Sequence, residues 1–143
     1  DQTSLLEAFL LAAARVEEFY KEESRLATEH ALIDDNGDRL GTPADWFRGL
    51  RAAKAAKDGA SPDGPRAGQL QLVASPGEQD LPVAARSRRD ALELEIAGLR
   101  RRKDAIAEDD YYRELEPLLV ELARLYEPVD QSPGVEPPAL DGK

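Results

Sequence analysis

"LIDDNGDRLGTPADWFRGLRAAKAAKDG", residues 32–59, is the stretch on which the fold turns. Oxygen-bearing side chains stand at alternate positions, Asp34, Asn36 and Asp38, and Asp45 follows. A twelve-residue calcium loop draws ligands from positions 1, 3, 5, 7, 9 and 12. Counted from Asp34, these are Asp34, Asn36, Asp38, the Leu40 carbonyl, Thr42 and Asp45. A set made only of oxygens selects calcium or magnesium over zinc, and a flexible loop favours calcium. The second half of the stretch reads as a helix. Thr42 is suited to cap it, Pro43 to open it, and Asp45 to face the positive end of its dipole. Trp46, Leu50 and Ala53 then share a face, Lys54 and Lys57 occupy the last turn, and Gly59 ends it. Loop and cap agree on one register. Two positions depart from the pattern: Arg39 stands at the sixth place, where the sharp turn wants Gly, and Gly41 at the eighth, usually apolar. An Asx-rich turn ahead of an ordinary helix cap accounts for the same residues without a metal, and the sequence leaves both readings open.

Upstream, "TSLLEAFLLAAARVEEFYKEES" predicts a helix. Ser4 and Glu7 have the spacing of a capping box, and Leu5, Phe9, Ala13, Val16 and Tyr20 form an apolar stripe. "QTSLLE" also resembles the second half of a calcium loop, with Ser4 at the capping place and Glu7 at the last-ligand place. Residues 1–57 thus read as a helix-loop-helix unit of EF-hand-like form.

Downstream, residues 58–82 are rich in Gly, Pro, Ser and Asp and read as a linker. Within it "QLQLV" suits an extended leg or one short strand. Residues 83–127 carry the most regular pattern. Ala85, Leu92, Ile96, Leu99 and Ile106 keep three-four spacing, with Arg89 and Lys103 admitted to the seam. After "AEDD", Tyr111, Leu115, Leu118, Leu122 and Leu125 do the same. Two such arms joined by a short loop predict an antiparallel coiled-coil hairpin. The first arm is basic and the second acidic, so pairing them cancels most of the asymmetry. Pro117 is expected to kink the second arm near Arg113. The tail, residues 128–143, is Pro-rich and aperiodic and is expected to be disordered or extended.

Composition bounds the rest. The chain has 143 residues, a formal charge of -10, no Met and no Cys. The missing Met suggests a mature or excised piece of a longer protein, with no signal peptide in the sequence. The missing Cys removes disulfides, thiolate metal sites and cysteine nucleophiles. The charge argues against binding nucleic acid through the overall field. No apolar run is long enough to span a bilayer. Ala, Leu, Glu and Arg dominate, which points to an all-α protein.

His30, in "TEHAL" beside Glu29, is the sole histidine. It reads either as a base or ligand or as a surface residue. "DGASPDGP" lacks the Lys and the strand-helix frame of a phosphate loop. The basic arm "RSRRDALELEIAGLRRRK" suits RNA or an anionic lipid surface by charge alone, but its interleaved acids suit the solvated face of a hairpin better.

Residues 2–127 also resemble the region that follows the catalytic domain in bacterial envelope proteins with a legumain-like or caspase-like peptidase domain. Thr28 to Leu32, the Asp34 to Asp38 loop, and Tyr111 and Tyr112 carry the resemblance. It implies a non-catalytic companion of a protease in the periplasm or cell envelope. The family's catalytic His and Cys have no counterpart in this chain. The expectation is therefore a non-enzymatic interaction or assembly module that docks a protein partner, with calcium as a candidate stabiliser. Two other readings stay open. One is a fragment of such a peptidase, with Glu29, His30 and the Asp34 to Asp45 cluster completing an active site. The other is a coiled-coil adaptor with no metal.

Overall fold

A computed structural model describes residues 1–127 except Glu29 and Ala55. The tail expected to be disordered, residues 128–143, lies outside the described residues. The chain opens with a two-residue strand, β1 (Thr3–Ser4), and passes directly into α1 (Leu5–Glu22). The capping box is present: Ser4 Oγ accepts from the Glu7 amide at 3.2 Å, and the Ser4 amide donates to Glu7 Oε2 at 2.7 Å. These hydrogen bonds hold the Glu7 carboxyl below its ordinary range. Leu6 is the buried residue of α1, with Leu5, Phe9 and Leu10 packed around it. Farther along the predicted stripe, Ala13 and Tyr20 are partly buried and Val16 is half exposed, and off the stripe Leu11 and Phe19 are half exposed as well.

The expected all-α class and the helix-loop-helix unit give way to a mixed fold. Three two-stranded antiparallel sheets lie among the described residues. β2 (Leu32–Ile33) pairs with β3 (Thr42–Pro43), which closes the acidic loop as a hairpin. Only one 3₁₀ turn, Ala44–Trp46, forms where the second helix was expected, and no side chain caps it. β4 (Phe47–Arg48) and β5 (Arg51–Ala52) follow, with Phe47 opposite Ala52 and Arg48 opposite Arg51. The reasons are local and tertiary together. The Thr42 hydroxyl is buried against Asp63, so it is not available as a helix cap. Gly49 takes φ +59°, and Gly-X is the pair that favours the tight primed turns of hairpins. Phe47 is drawn into the core beside Leu6, Ile33 and Ala67.

The segment expected to be a linker is structured. It holds α2 (Pro65–Gln69), β6 (Gln71–Val73) and α3 (Pro76–Asp80). β6 pairs antiparallel with β1, Thr3 opposite Val73, and ties this segment back to the N-terminus. Ser75 caps α3 by accepting from the Glu78 amide at 3.2 Å. Gly64, at φ +120°, precedes α2. A Cβ there would sit 2.7 Å from Phe47 Cε1, so the core needs the glycine for close approach as well as for its backbone.

α4 (Val83–Arg101) and α5 (Glu108–Arg124) pack as an antiparallel pair across a 3₁₀ turn, Lys103–Ala105. Leu92, Ile96, Leu99 and Tyr111 are buried. Arg88 binds Glu121 through two N–H···O contacts, 2.6 and 2.8 Å, and Arg102 binds Glu114. α5 is continuous through Pro117. Arg89 is buried and held by Glu78 of α3 and by Asp90 at 2.7 Å. Burial alone would lower its pKa; the hydrogen bonds to Glu78 and Asp90 outweigh that and raise it, so the guanidinium is fixed in its charged form. Gln69 joins the pair to the rest of the fold, its side-chain amide donating to the Asp90 carbonyl at 2.8 Å and to Glu93 at 3.1 Å. No helix is long and apolar enough to cross a membrane among the described residues.

Candidate functional site

The acidic loop is held by its own side chains. Asp34 accepts from the Gly37 amide at 2.8 Å through Oδ1 and from the Arg39 amide at 3.1 Å through Oδ2. Asn36 Oδ1 accepts from the Asp38 amide at 2.8 Å, and Asp38 Oδ1 from the Leu40 amide at 2.7 Å. All but the Arg39 contact are Asx-type turns, in which a short polar side chain satisfies the backbone two or three residues on. Asp45 points elsewhere, to the Lys54 ammonium at 2.6 Å, and that hydrogen bond holds its carboxyl below the ordinary range. The Thr42 hydroxyl faces Asp63. Five of the six positions of the proposed calcium set, all but the Leu40 carbonyl, are therefore divided among three separate tasks. Among the described residues, no group of three or more His, Cys, Asp or Glu side chains is placed to hold a metal ion. Arg39, at the place where Gly was wanted, does adopt the left-handed conformation, φ +67°.

Two carboxylates missed by the sequence reading fix this loop to the rest of the fold. Asp63 is almost fully buried. Its Oδ2 accepts from Thr42 Oγ1 at 2.8 Å, and its Oδ1 accepts from the amides of Asp35 and Asn36 at 3.0 and 3.3 Å. The Asp63 amide donates back to Thr42 Oγ1 at 2.8 Å. Asp35 reciprocates: its Oδ2 accepts from the amides of Gly64 and Ala67 at 2.9 and 2.8 Å, satisfying the open N-terminus of α2. Asp35 and Asp63 thus clasp two segments that lie far apart in sequence. Asp63 followed by Gly64 and Pro65 was a turn-and-helix-start signal in the sequence. Its partner across the fold carried no local signal.

His30 is exposed, and Glu29, the other half of the candidate pair, lies outside the described residues.

A different feature brings chemistry together. A cleft of about 490 Å³ opens between the helix pair and the β4–β5 turn. Ile96, Ala97, Leu119 and Leu122 give it an apolar wall, and Leu50, Pro62 and Pro65 face them. Arg51, Arg100 and Arg101 also line it, and none of the three forms an ion pair among the described residues. Two carboxylates line it as well. Asp63 is committed to the clasp, and Glu93 is held by Gln69. The arginines of α4 were visible in the sequence as part of a basic arm. Arg51 was not linked to them, because a helix over residues 42–59 gives it no reason to approach α4. No protein-family model, no curated protein and no solved structure matches this chain.

Proposed function

We propose that the chain is a non-catalytic interaction module and that the cleft between α4, α5 and the β4–β5 turn is where a protein partner docks. The observation that carries this reading is the cleft itself. It combines a wall of aliphatic side chains with guanidinium groups at one place on a chain whose formal charge is -10. Its volume falls within the roughly 300–1,000 Å³ of typical ligand sites. Arginine beside exposed apolar surface is also the composition favoured where proteins meet. The resemblance of residues 2–127 to the region after a peptidase domain supplies a setting, a companion unit in an envelope protease.

The test is a selection of random sixteen-residue peptides displayed on phage against the chain, counter-screened on Leu119→Glu. Leu119 is 42% exposed on α5, so the variant should fold as the wild type does, which thermal melting checks. Peptides retained by the wild type and lost by the variant are the expected result. Failure to enrich any such peptide would refute the reading.

A further inference from the structure

Building on the docking reading above, we infer that the occupant of the cleft is an acidic, amphipathic peptide segment of a partner protein: carboxylates that meet Arg51, Arg100 and Arg101, with apolar side chains laid against α5. Three arginines line the cleft, Arg51 from β5 and Arg100 and Arg101 from the end of α4. Of the two carboxylates that share it, Asp63 accepts from two backbone amides and the Thr42 hydroxyl and Glu93 from Gln69, so neither is paired with these arginines, and the cleft keeps a formal excess of one positive charge. Three arginines of α4 and its C-cap have carboxylates, Arg88 with Glu121 and Glu95, Arg89 with Glu78 and Asp90, and Arg102 with Glu114, whereas Arg86 of α4 and Arg124 of α5 have none among the described residues. Arg100 and Arg101 lie between these pairs in sequence and have none among the described residues. Guanidinium groups bind carboxylates through paired, planar hydrogen bonds, so an acidic ligand gains specificity here as well as attraction.

The apolar argument decides between a peptide and a small free anion. The aliphatic surface does not stop at the cleft. Within the cleft, Leu50 is 51% exposed and Leu119 42% exposed, and Val120, next to Leu119 on α5 and outside the cleft, is 42% exposed. A lone carboxylate would leave this surface wet. A peptide would cover it with side chains while its acids reach the arginines, which is how an amphipathic segment seats in a groove.

The selected peptides supply the probes. Those that depend on Leu119 are synthesised with a fluorophore, and their affinity is measured by polarisation against three forms of the whole chain: wild type, Arg100→Glu/Arg101→Glu, and Arg100→Lys/Arg101→Lys. Both variants are first checked by melting. The expected peptides carry at least two Asp or Glu beside Leu, Ile or Phe. Their affinity should fall tenfold or more in the charge-reversed chain, fall by a smaller factor in the lysine chain, which keeps the charge but loses the paired geometry, and weaken as salt rises. Cleft-dependent peptides that are neutral or basic, or acidic ones indifferent to charge reversal, would overturn the inference while leaving the docking reading intact. Absence of any cleft-dependent peptide would overturn both.

Discussion

Asp63 ties the acidic loop to the segment that leads into α2. Its buried carboxylate satisfies the Thr42 hydroxyl and the amides of Asp35 and Asn36. Asp63→Ala leaves these groups buried or half-buried with no acceptor, a loss of about 1–3 kcal/mol for each group that water cannot reach. Urea unfolding of the variant should show a midpoint well below that of the wild type, and an unchanged midpoint would remove the clasp from the account. Arg39 gives a finer test. A non-glycine residue in the left-handed region costs about 1–2 kcal/mol, while glycine costs about 0.5–1 kcal/mol through extra freedom in the unfolded chain. Arg39→Gly should therefore be neutral or slightly stabilising in the same measurement. The loop also makes a prediction about calcium. With the oxygens of Asp34, Asn36 and Asp38 already accepting backbone amides, and Asp45 on Lys54, millimolar calcium should leave the melting temperature where it is. A rise with calcium that Asp38→Ala abolishes would restore the cation reading. The alternation of Asp34, Asn36 and Asp38 was plain in the sequence, but alternation is shared by calcium loops and Asx turns. What separates them is where Asp45 and Thr42 go, and that is decided by Lys54 and Asp63.

At the scale of elements, residues 42–59 separate two folds by the sign of one substitution. In a helix interior Gly49→Ala would stabilise by roughly 0.5–1 kcal/mol. In the β4–β5 turn, with φ at +59°, alanine must enter the left-handed region and should destabilise by about 1–2 kcal/mol. Nothing lies within 4 Å of a Cβ at this position, so the backbone effect is isolated from packing. Thr42, Pro43 and Asp45 are good helix-start residues, but Thr42 and Pro43 form β3 and only Asp45 falls within the single 3₁₀ turn, Ala44–Trp46. The helix stops there because Phe47 enters the core and Gly49 reverses the chain. The helix pair α4–α5 was more legible, since the pattern of Leu92, Ile96 and Leu99 needs no distant partner to be read. Its Arg88–Glu121 contact carries a pH dependence. The hydrogen bond from Arg88 holds the Glu121 carboxyl below its ordinary value of 4.5. A carboxyl lowered in the folded state stabilises at neutral pH, and that contribution is lost as pH falls through the folded value. Wild type should melt above Glu121→Gln at pH 7, and the gap should close in acid. A gap independent of pH would mean that the difference is not electrostatic.

The molecule as a whole is a small mixed core, Leu6, Ile33, Phe47 and Ala67, with a helix pair fastened to it by Gln69 and by the buried Arg89–Glu78 contact. Residues 58–82 looked like a linker because Gly, Pro and Ser dominate them, yet each short element there is closed by a distant partner: α2 by Asp35, β6 by β1, α3 by Arg89. Removing one side of the last contact should be costly. Arg89→Met leaves Glu78 buried without its cation, a loss of about 3–5 kcal/mol, whereas Arg89→Met with Glu78→Leu should recover part of it. Chemical unfolding of the two variants checks this. The same fastening places the β4–β5 turn opposite α4 and α5 and so creates the cleft. The most direct test of the account is backbone-amide NMR of the isotopically labelled chain, titrated with a peptide selected as above. The account predicts shift changes that gather at Arg51, Gly64, Gln69, Ala97 and Leu119 and spare the far end of α1. Changes that gather instead on Leu11, Val16 and Phe19 would place the partner on the exposed apolar side of α1 and contradict the assignment of the cleft.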